Sequence, residues 1–378
     1  MQGTKISPLI YADSESNADQ LYFSKVFVPD PFLSFGIGKK KYAIVNDLEY
    51  TRLKKEAVFD DVLSLGELQK IAEKRFRMKK SELSDIIRIL GDEYKIRGFV
   101  IPPDFPVRLA LGLIKKKIKF KVSRGSLFPS RAIKNDEEAK AIREGNAASA
   151  AGIRMAEYIL DRSSIKNGKI YYGSRYLTSE RLREEIEITC LKKGGIASHT
   201  ITAGGNQACD PHCQGYGVLR ANEFIVVDVF PRIKHTGYYG DMTRTFLKGR
   251  SNENQQKLIS TVKKAHRNVL GKLKGGISAS KVHNEVKVFF KNNGYISSKN
   301  GDIIEGYFHG TGHGLGLEIH EEPSLSSNGS TLKTGMVVTV EPGLYYPGLG
   351  GCRIEDVVRI KRDGIEMLSK CHYRWEIS

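Results

Sequence analysis

Four acidic residues and one histidine in the second half of the chain have the types and settings of ligands for two divalent cations: Asp228, Asp241, His313, Glu341 and Glu355. Asp228 lies inside the apolar run IVVDVF, where an unpaired carboxylate is costly. Asp241 opens DMTRTF just beyond a glycine-containing loop, so the two segments read as a hairpin that turns both carboxylates toward one site. Thr243 shares the strand face of Asp241 and is placed to hold a ligand through its hydroxyl. Glu341 ends VVTV and is followed by Pro342 and Gly343, so the chain turns just past it. Glu355 follows Arg353 by two residues in GCRIED, which suggests that the guanidinium orients that carboxylate. Four converging carboxylates would repel one another and be expensive to desolvate. Paired divalent cations remove both penalties, because carboxylate oxygens can bridge them. The chemistry expected is metal-assisted hydrolysis.

The segment HGTGHGLGLEIHEEP holds three of the nine histidines in the chain. His313 is the ligand candidate, and His309 and His320 are expected to donate protons or polarise a carbonyl. GLGLEIH reads as a strand, yet an odd separation would send His313 and His320 to opposite faces. A bend or bulge is therefore required. Gly310, Gly312, Gly314 and Gly316 read as room for a substrate backbone.

These residues need a scaffold, and 378 residues suffice for two domains. Residues 1–133 alternate short strands (LSFG, KYAIVN, DVLSL, GFVIPP, KIKFKV) with amphipathic helices, the second capped by Ser81, and read as a small α/β domain. Residues 134–378 read as an α+β domain whose ligands line one sheet. Asn135 and Glu138 form a capping box for its first long helix, in which Ala147, Ala148, Ala150 and Ala151 imply close packing.

Composition closes off other classes. No apolar run reaches the roughly 18 residues of a membrane span, and the start lacks a secretory pattern. Five scattered cysteines indicate a reduced, cytoplasmic setting. Cys209 and Cys213 flank His212 without the second cysteine pair a structural zinc would want. The net charge of +17 raises nucleic-acid binding, but no recognition helix or stacking platform accompanies it. In KIKFKV, Lys117, Lys119 and Lys121 alternate with apolar residues as a solvated face does.

The segments PHCQG, IVVDVF, GYYGDMTRTF, HGTGHGLGLEIHEEP, TVEPGLYY and RIEDVV together resemble the Xaa-Pro peptidases, prolidase and aminopeptidase P, of the pita-bread metallopeptidase family. The resemblance implies a pita-bread catalytic domain over residues 134–378 behind a creatinase-type amino-terminal domain. It implies two metals on Asp228, Asp241, His313, Glu341 and Glu355, manganese first, with cobalt, iron or zinc as alternatives. It places His212, His309, His320 and Arg353 around a peptide whose second residue is proline, gives Glu341 the proton shuttle, and makes Asp241 and Glu355 the bridging ligands. It also carries the expectation of a homodimer. An Xaa-Pro bond is a tertiary amide without the N–H that ordinary proteases grip, and a metal pair can polarise its carbonyl and supply hydroxide near neutral pH. Related alternatives are a methionine-aminopeptidase-like enzyme, which would lack the RIED arrangement, and an inactive binding module for nucleic acid or protein. The interval from Asp228 to Asp241 is about two residues longer than the family pattern, which leaves the ligand faces in place if one residue enters each hairpin arm.

Overall fold

Contacts sort the chain into two units, Met1–Arg131 and Ala132–Ser378; the computed structural model describes residues 6–301 and 303–378. In the first unit a six-stranded mixed sheet runs in the order Asp61–Ser64, Lys40–Val45, Phe32–Ile37, Ile6–Ala12, Gly98–Ile101, Phe120–Val122. Its main core joins Leu9, Phe35 and Phe99 on strands to Ile86, Ile87 and Leu90 on the helix Leu83–Glu93. Ser81 does not cap that helix. Glu82 stands at the cap, and its N–H donates to the Asp85 carboxylate at 2.9 Å.

The second unit is built from two helix pairs, each backing a sheet. Helices Asp136–Asp161 and Ser179–Lys192 pack with a sheet of order Ile201–Gly204, Phe224–Val229, Met242–Lys248, Glu376–Ile377. Helices Glu253–Leu270 and Ala279–Asn292 pack with a sheet of order Glu321–Leu325, Gly312–Gly314, Val337–Val340, Asp356–Lys361, Gly364–Met367. The candidate ligands therefore come from two sheets, not one. The sheets meet where Glu355 N–H donates to Thr243 O at 3.1 Å, and the Thr245 hydroxyl donates to Arg353 O at 2.9 Å.

The helix Asp136–Asp161 opens with the reciprocal Asn135–Glu138 cap. Ala148, Ala150 and Ala151 are buried in it, but Ala147 faces outward. The closest approach is made by Gly145, where an added Cβ would lie 2.4 Å from Gly240 N. One residue later, Asn146 Oδ1 accepts the Asp241 N–H at 2.9 Å. Tight glycine packing thus brings a helical side chain onto the backbone of a candidate ligand.

The long hairpin keeps its register to the tip. Asp228 faces Thr243 and Val229 faces Met242. Beyond them Gly240 N–H donates to Pro231 O at 2.9 Å, Arg232 bridges Tyr239, and Ile233 N–H donates to Tyr238 O at 2.9 Å. Extra residues added symmetrically leave Asp228 and Asp241 on one strand face. No helix among the described residues is long and apolar enough to cross a membrane.

Candidate metal centre

A cavity of about 610 Å³ in the second unit has Asp228, Asp241, His313, Glu341 and Glu355 in its wall. One ligand atom each from Asp241, His313 and Glu355 lie within 4.8 Å of one another. His313 Nε2 is 3.4 Å from Glu341 Oε1 and 3.6 Å from Asp241 Oδ2. All five expected ligands are brought together. Asp228 Oδ1 and Glu355 Oε1 are buried with no hydrogen-bond partner, an arrangement whose desolvation cost a cation would offset.

The supporting contacts aim these side chains. His313 Nδ1–H donates to Gly314 O at 3.1 Å, which fixes the tautomer with Nε2 as the free electron pair. The Thr339 hydroxyl accepts the His313 N–H at 3.0 Å and donates to Glu341 Oε1 at 3.3 Å. The Thr243 hydroxyl donates to Glu355 Oε2 at 2.8 Å. Arg353 holds Asp228 rather than Glu355: its Nη2 donates to Asp228 Oδ2 at 2.8 Å. Strand alternation fails between Arg353 and Glu355 because one strand ends at Arg353 and another begins at Asp356.

Electrostatics agree with a site shaped for cations. Burial, reinforced by Glu355 and Asp228, raises the Asp241 carboxyl well above its usual range. Burial, with Glu341 and Asp228, does the same to Glu355. Glu341 is pushed up to about 7 by burial, with Asp228 adding to the rise and Arg353 opposing it. Each of these three carboxyls holds a proton more readily than a free one, so metal uptake should release protons.

The remaining expected residues surround the same cavity. His320 is exposed, and its ring lies 4.3 Å from that of His313, nearly perpendicular. GLGLEIH is not a strand. Only Gly312–Gly314 pairs, through an irregular register, and the bends that follow carry His320 inward. His212 is exposed at the rim. His309 has both ring nitrogens engaged: Nδ1–H donates to Gly310 O at 2.7 Å, and Nε2 accepts from the Tyr345 hydroxyl at 2.9 Å. That hydroxyl accepts in turn from Arg353 Nη1 at 3.0 Å. Burial and the nearby Arg353 press the His309 ring down to about 3, so it is neutral.

The glycines serve the protein's own backbone more than a substrate's. A Cβ on Gly312 would lie 2.0 Å from Thr339 O, and one on Gly314 would lie 2.4 Å from Glu321 O. One on Gly316 would strike the Glu321 carboxylate; Gly310 alone has ordinary clearance. The sequence reading missed Tyr345, Thr339 and Asn146. Thr339 was within reach, since it alternates with Glu341 along one strand face, whereas Asn146 and Tyr345 reach the site only through tertiary packing.

Fold and site define a pita-bread metallopeptidase. Residues 140–362 match the model of metallopeptidase family M24, and the chain belongs to that family. It is 35% identical over 270 residues to an uncharacterised peptidase of Methanocaldococcus jannaschii, covering 69% of this chain and 71% of that protein. It is 37% identical over 180 residues to the Xaa-Pro dipeptidase of Pyrococcus furiosus, a match spanning 46% of this chain and 48% of that protein. The fold superposes on the prolidase from Pyrococcus furiosus with a TM-score of 0.77 at 24% identity, over 98% of both chains. An X-Pro aminopeptidase from Thermotoga maritima gives 0.81 at 22% identity, over 99% of this chain and 98% of that one.

Proposed function

We propose that this metallopeptidase removes the residue preceding proline from Xaa-Pro peptides, with two divalent cations held by Asp228, Asp241, His313, Glu341 and Glu355. The observation that carries the reading is the buried, unpartnered Asp228 Oδ1 and Glu355 Oε1 beside the Asp241–His313–Glu355 cluster. Four carboxylates and one imidazole form an oxygen-rich set that suits manganese, with cobalt, iron and zinc as alternatives. Bound there, the cations would polarise the scissile carbonyl and make water nucleophilic near neutral pH.

The chain's own residues do the rest. Glu341, with a side chain 17% exposed against 6% for Asp241, is the accessible carboxylate that takes the proton from the attacking water and passes it to the departing proline nitrogen. His320 and His212, exposed at the cavity, face the substrate and supply hydrogen bonds to the developing oxyanion or the departing proline nitrogen. Arg353 fixes Asp228 and, through Tyr345, the neutral His309. Asp241 and Glu355, the more buried carboxylates, would hold the cations at the inner end of the site.

The P. furiosus relative is named an Xaa-Pro dipeptidase, and proline specificity is carried over here as part of the proposal. So are a creatinase-type identity for residues 1–133 and a homodimer, which sedimentation would detect. The deciding experiment is manganese loading followed by assay on matched Xaa-Pro and Xaa-Ala peptides. Two ions per chain and cleavage confined to Xaa-Pro are expected; stoichiometric loading with no proline-directed cleavage would refute the assignment.

A further inference from the structure

Beside the metal cavity lies a second one of about 530 Å³, and Phe308, His309, Gly310 and Ser326 line both. Their charges are opposite. Four carboxylates face the first cavity. The second has Lys287, Lys291 and His283 in its wall with Ser326 and Ser327, and its lining includes no carboxylate among the described residues. His283, Lys287 and Lys291 recur every fourth residue along the helix Ala279–Asn292, so they share one face of it. The nearby acid on that helix, Glu285, is engaged with Lys272. Neither Lys287 nor Lys291 forms an ion pair among the described residues.

A peptide substrate is itself polar, cationic at its amino end and anionic at its carboxyl end. In a free Xaa-Pro dipeptide the carboxylate sits on the proline and must be accommodated within the metal cavity. Among the described residues, the one lysine or arginine in the lining of that cavity is Arg353. Its guanidinium is already committed to Asp228, Tyr345 and Pro211 O. The two cations proposed there would offset the four acids, so a further carboxylate would find no free guanidinium or ammonium to pair with in that lining. Each further residue carries the chain end about 3.3–3.6 Å onward, past the shared wall toward the two lysines.

We infer that the second cavity receives the carboxyl-terminal part of the substrate, with Lys287 and Lys291 taking its terminal carboxylate. The preferred substrates are then peptides that continue at least one residue beyond proline, rather than free Xaa-Pro dipeptides. This rests on the proposed Xaa-Pro activity and names its substrate class. Ser326, Ser327 and the rim of Phe308 complete a cavity with room for side chains of varied shape, so the recognition is of charge more than of sequence.

The test uses the manganese-loaded protein and two probes. Calorimetric binding of the uncleavable product-like peptide Pro-Ala-Ala is compared with that of its carboxyl-terminal amide. Hydrolysis of Ala-Pro-Ala-Ala is compared with that of Ala-Pro. Amidation should weaken binding about tenfold in the native protein, the scale of a charge-assisted contact. In the double variant Lys287→Gln, Lys291→Gln the acid and the amide should bind alike. The tetrapeptide should be cleaved with a kcat/KM about tenfold or more above the dipeptide. Equal binding of acid and amide to the native protein overturns the site, and a preference that survives the double substitution overturns the assignment to these lysines. Equal cleavage of dipeptide and tetrapeptide overturns the substrate class. If nothing is hydrolysed while the binding difference holds, the Xaa-Pro reading fails and the carboxylate site stands.

Discussion

Thr243 holds Glu355 by one oxygen: its hydroxyl donates to Oε2 at 2.8 Å, while Oε1 stays buried without a partner. The same hydroxyl accepts from Arg353 Nε at 3.3 Å, so one side chain connects a candidate bridging ligand to the guanidinium that holds Asp228. Replacing Thr243 by Val keeps the shape and deletes the donor. Manganese affinity should fall about ten- to a hundredfold, and Thr243→Ser should restore most of it. Calorimetric titration decides the matter, and unchanged affinity in the Val variant would remove Thr243 from the site.

Metal should act on stability as well as on turnover. Without cations the fold carries orphaned oxygens at Asp228 and Glu355 and mutual repulsion among buried acids. Manganese at a hundred times its dissociation constant should stabilise the chain by about 2.7 kcal/mol, raising Tm by roughly 5–10 °C. Chelator should reverse the shift and abolish activity together. In Glu355→Gln the metal-free form should be no less stable than the native protein, because a neutral amide relieves the repulsion, and the response to metal should shrink. A scan in which manganese leaves Tm unmoved in the native protein would contradict the cation site.

The candidate ligands stood out because a carboxylate in IVVDVF or at the end of VVTV breaks an apolar pattern, and a break of that kind demands a partner. Helix starts were legible where capping chemistry was local, as at Asn135 with Glu138. The route between sites was not. Whether Arg353 meets Glu355 or Asp228 depends on a change of strand between positions 353 and 356, which spacing alone cannot reveal. Likewise Gly312 is glycine because Thr339 O crosses it, a tertiary contact invisible in a sequence that merely looks open to substrate. Helix Ala279–Asn292 reads as an amphipathic helix, and its basic face acquires meaning only beside the metal cavity.

Tyr345 separates positioning from metal binding. Its hydroxyl hydrogen-bonds Arg353 at 3.0 Å and His309 at 2.9 Å, and no hydrogen bond from it to the five candidate ligands is found among the described residues. Tyr345→Phe keeps the packing of a fully buried ring but leaves a guanidinium N–H and an imidazole nitrogen unpartnered. Metal stoichiometry should stay at the native value, while kcat falls about tenfold or more as the substrate-facing groups lose alignment. Loss of bound metal in parallel with activity would show the residue to be part of the cation site instead.

His283 should set an acid limit on stability. Its Nδ1 is 3.0 Å from Thr311 Oγ1 in a buried cluster with Tyr307. Burial, aided by Lys287, lowers the ring from 6.5 to about 4 in the folded protein. Between those values the unfolded chain binds more protons than the folded one, so stability rises with pH across the window. The contribution is complete above about 6.5 and is lost as the pH falls toward 4, a change of about 3 kcal/mol. His283→Asn retains a polar partner for Thr311 and removes the titration. Urea unfolding at a series of pH values from 7 to 4 should therefore give a shallower decline in the variant than in the native protein. Parallel declines would mean that the ring is protonated in the fold at no cost.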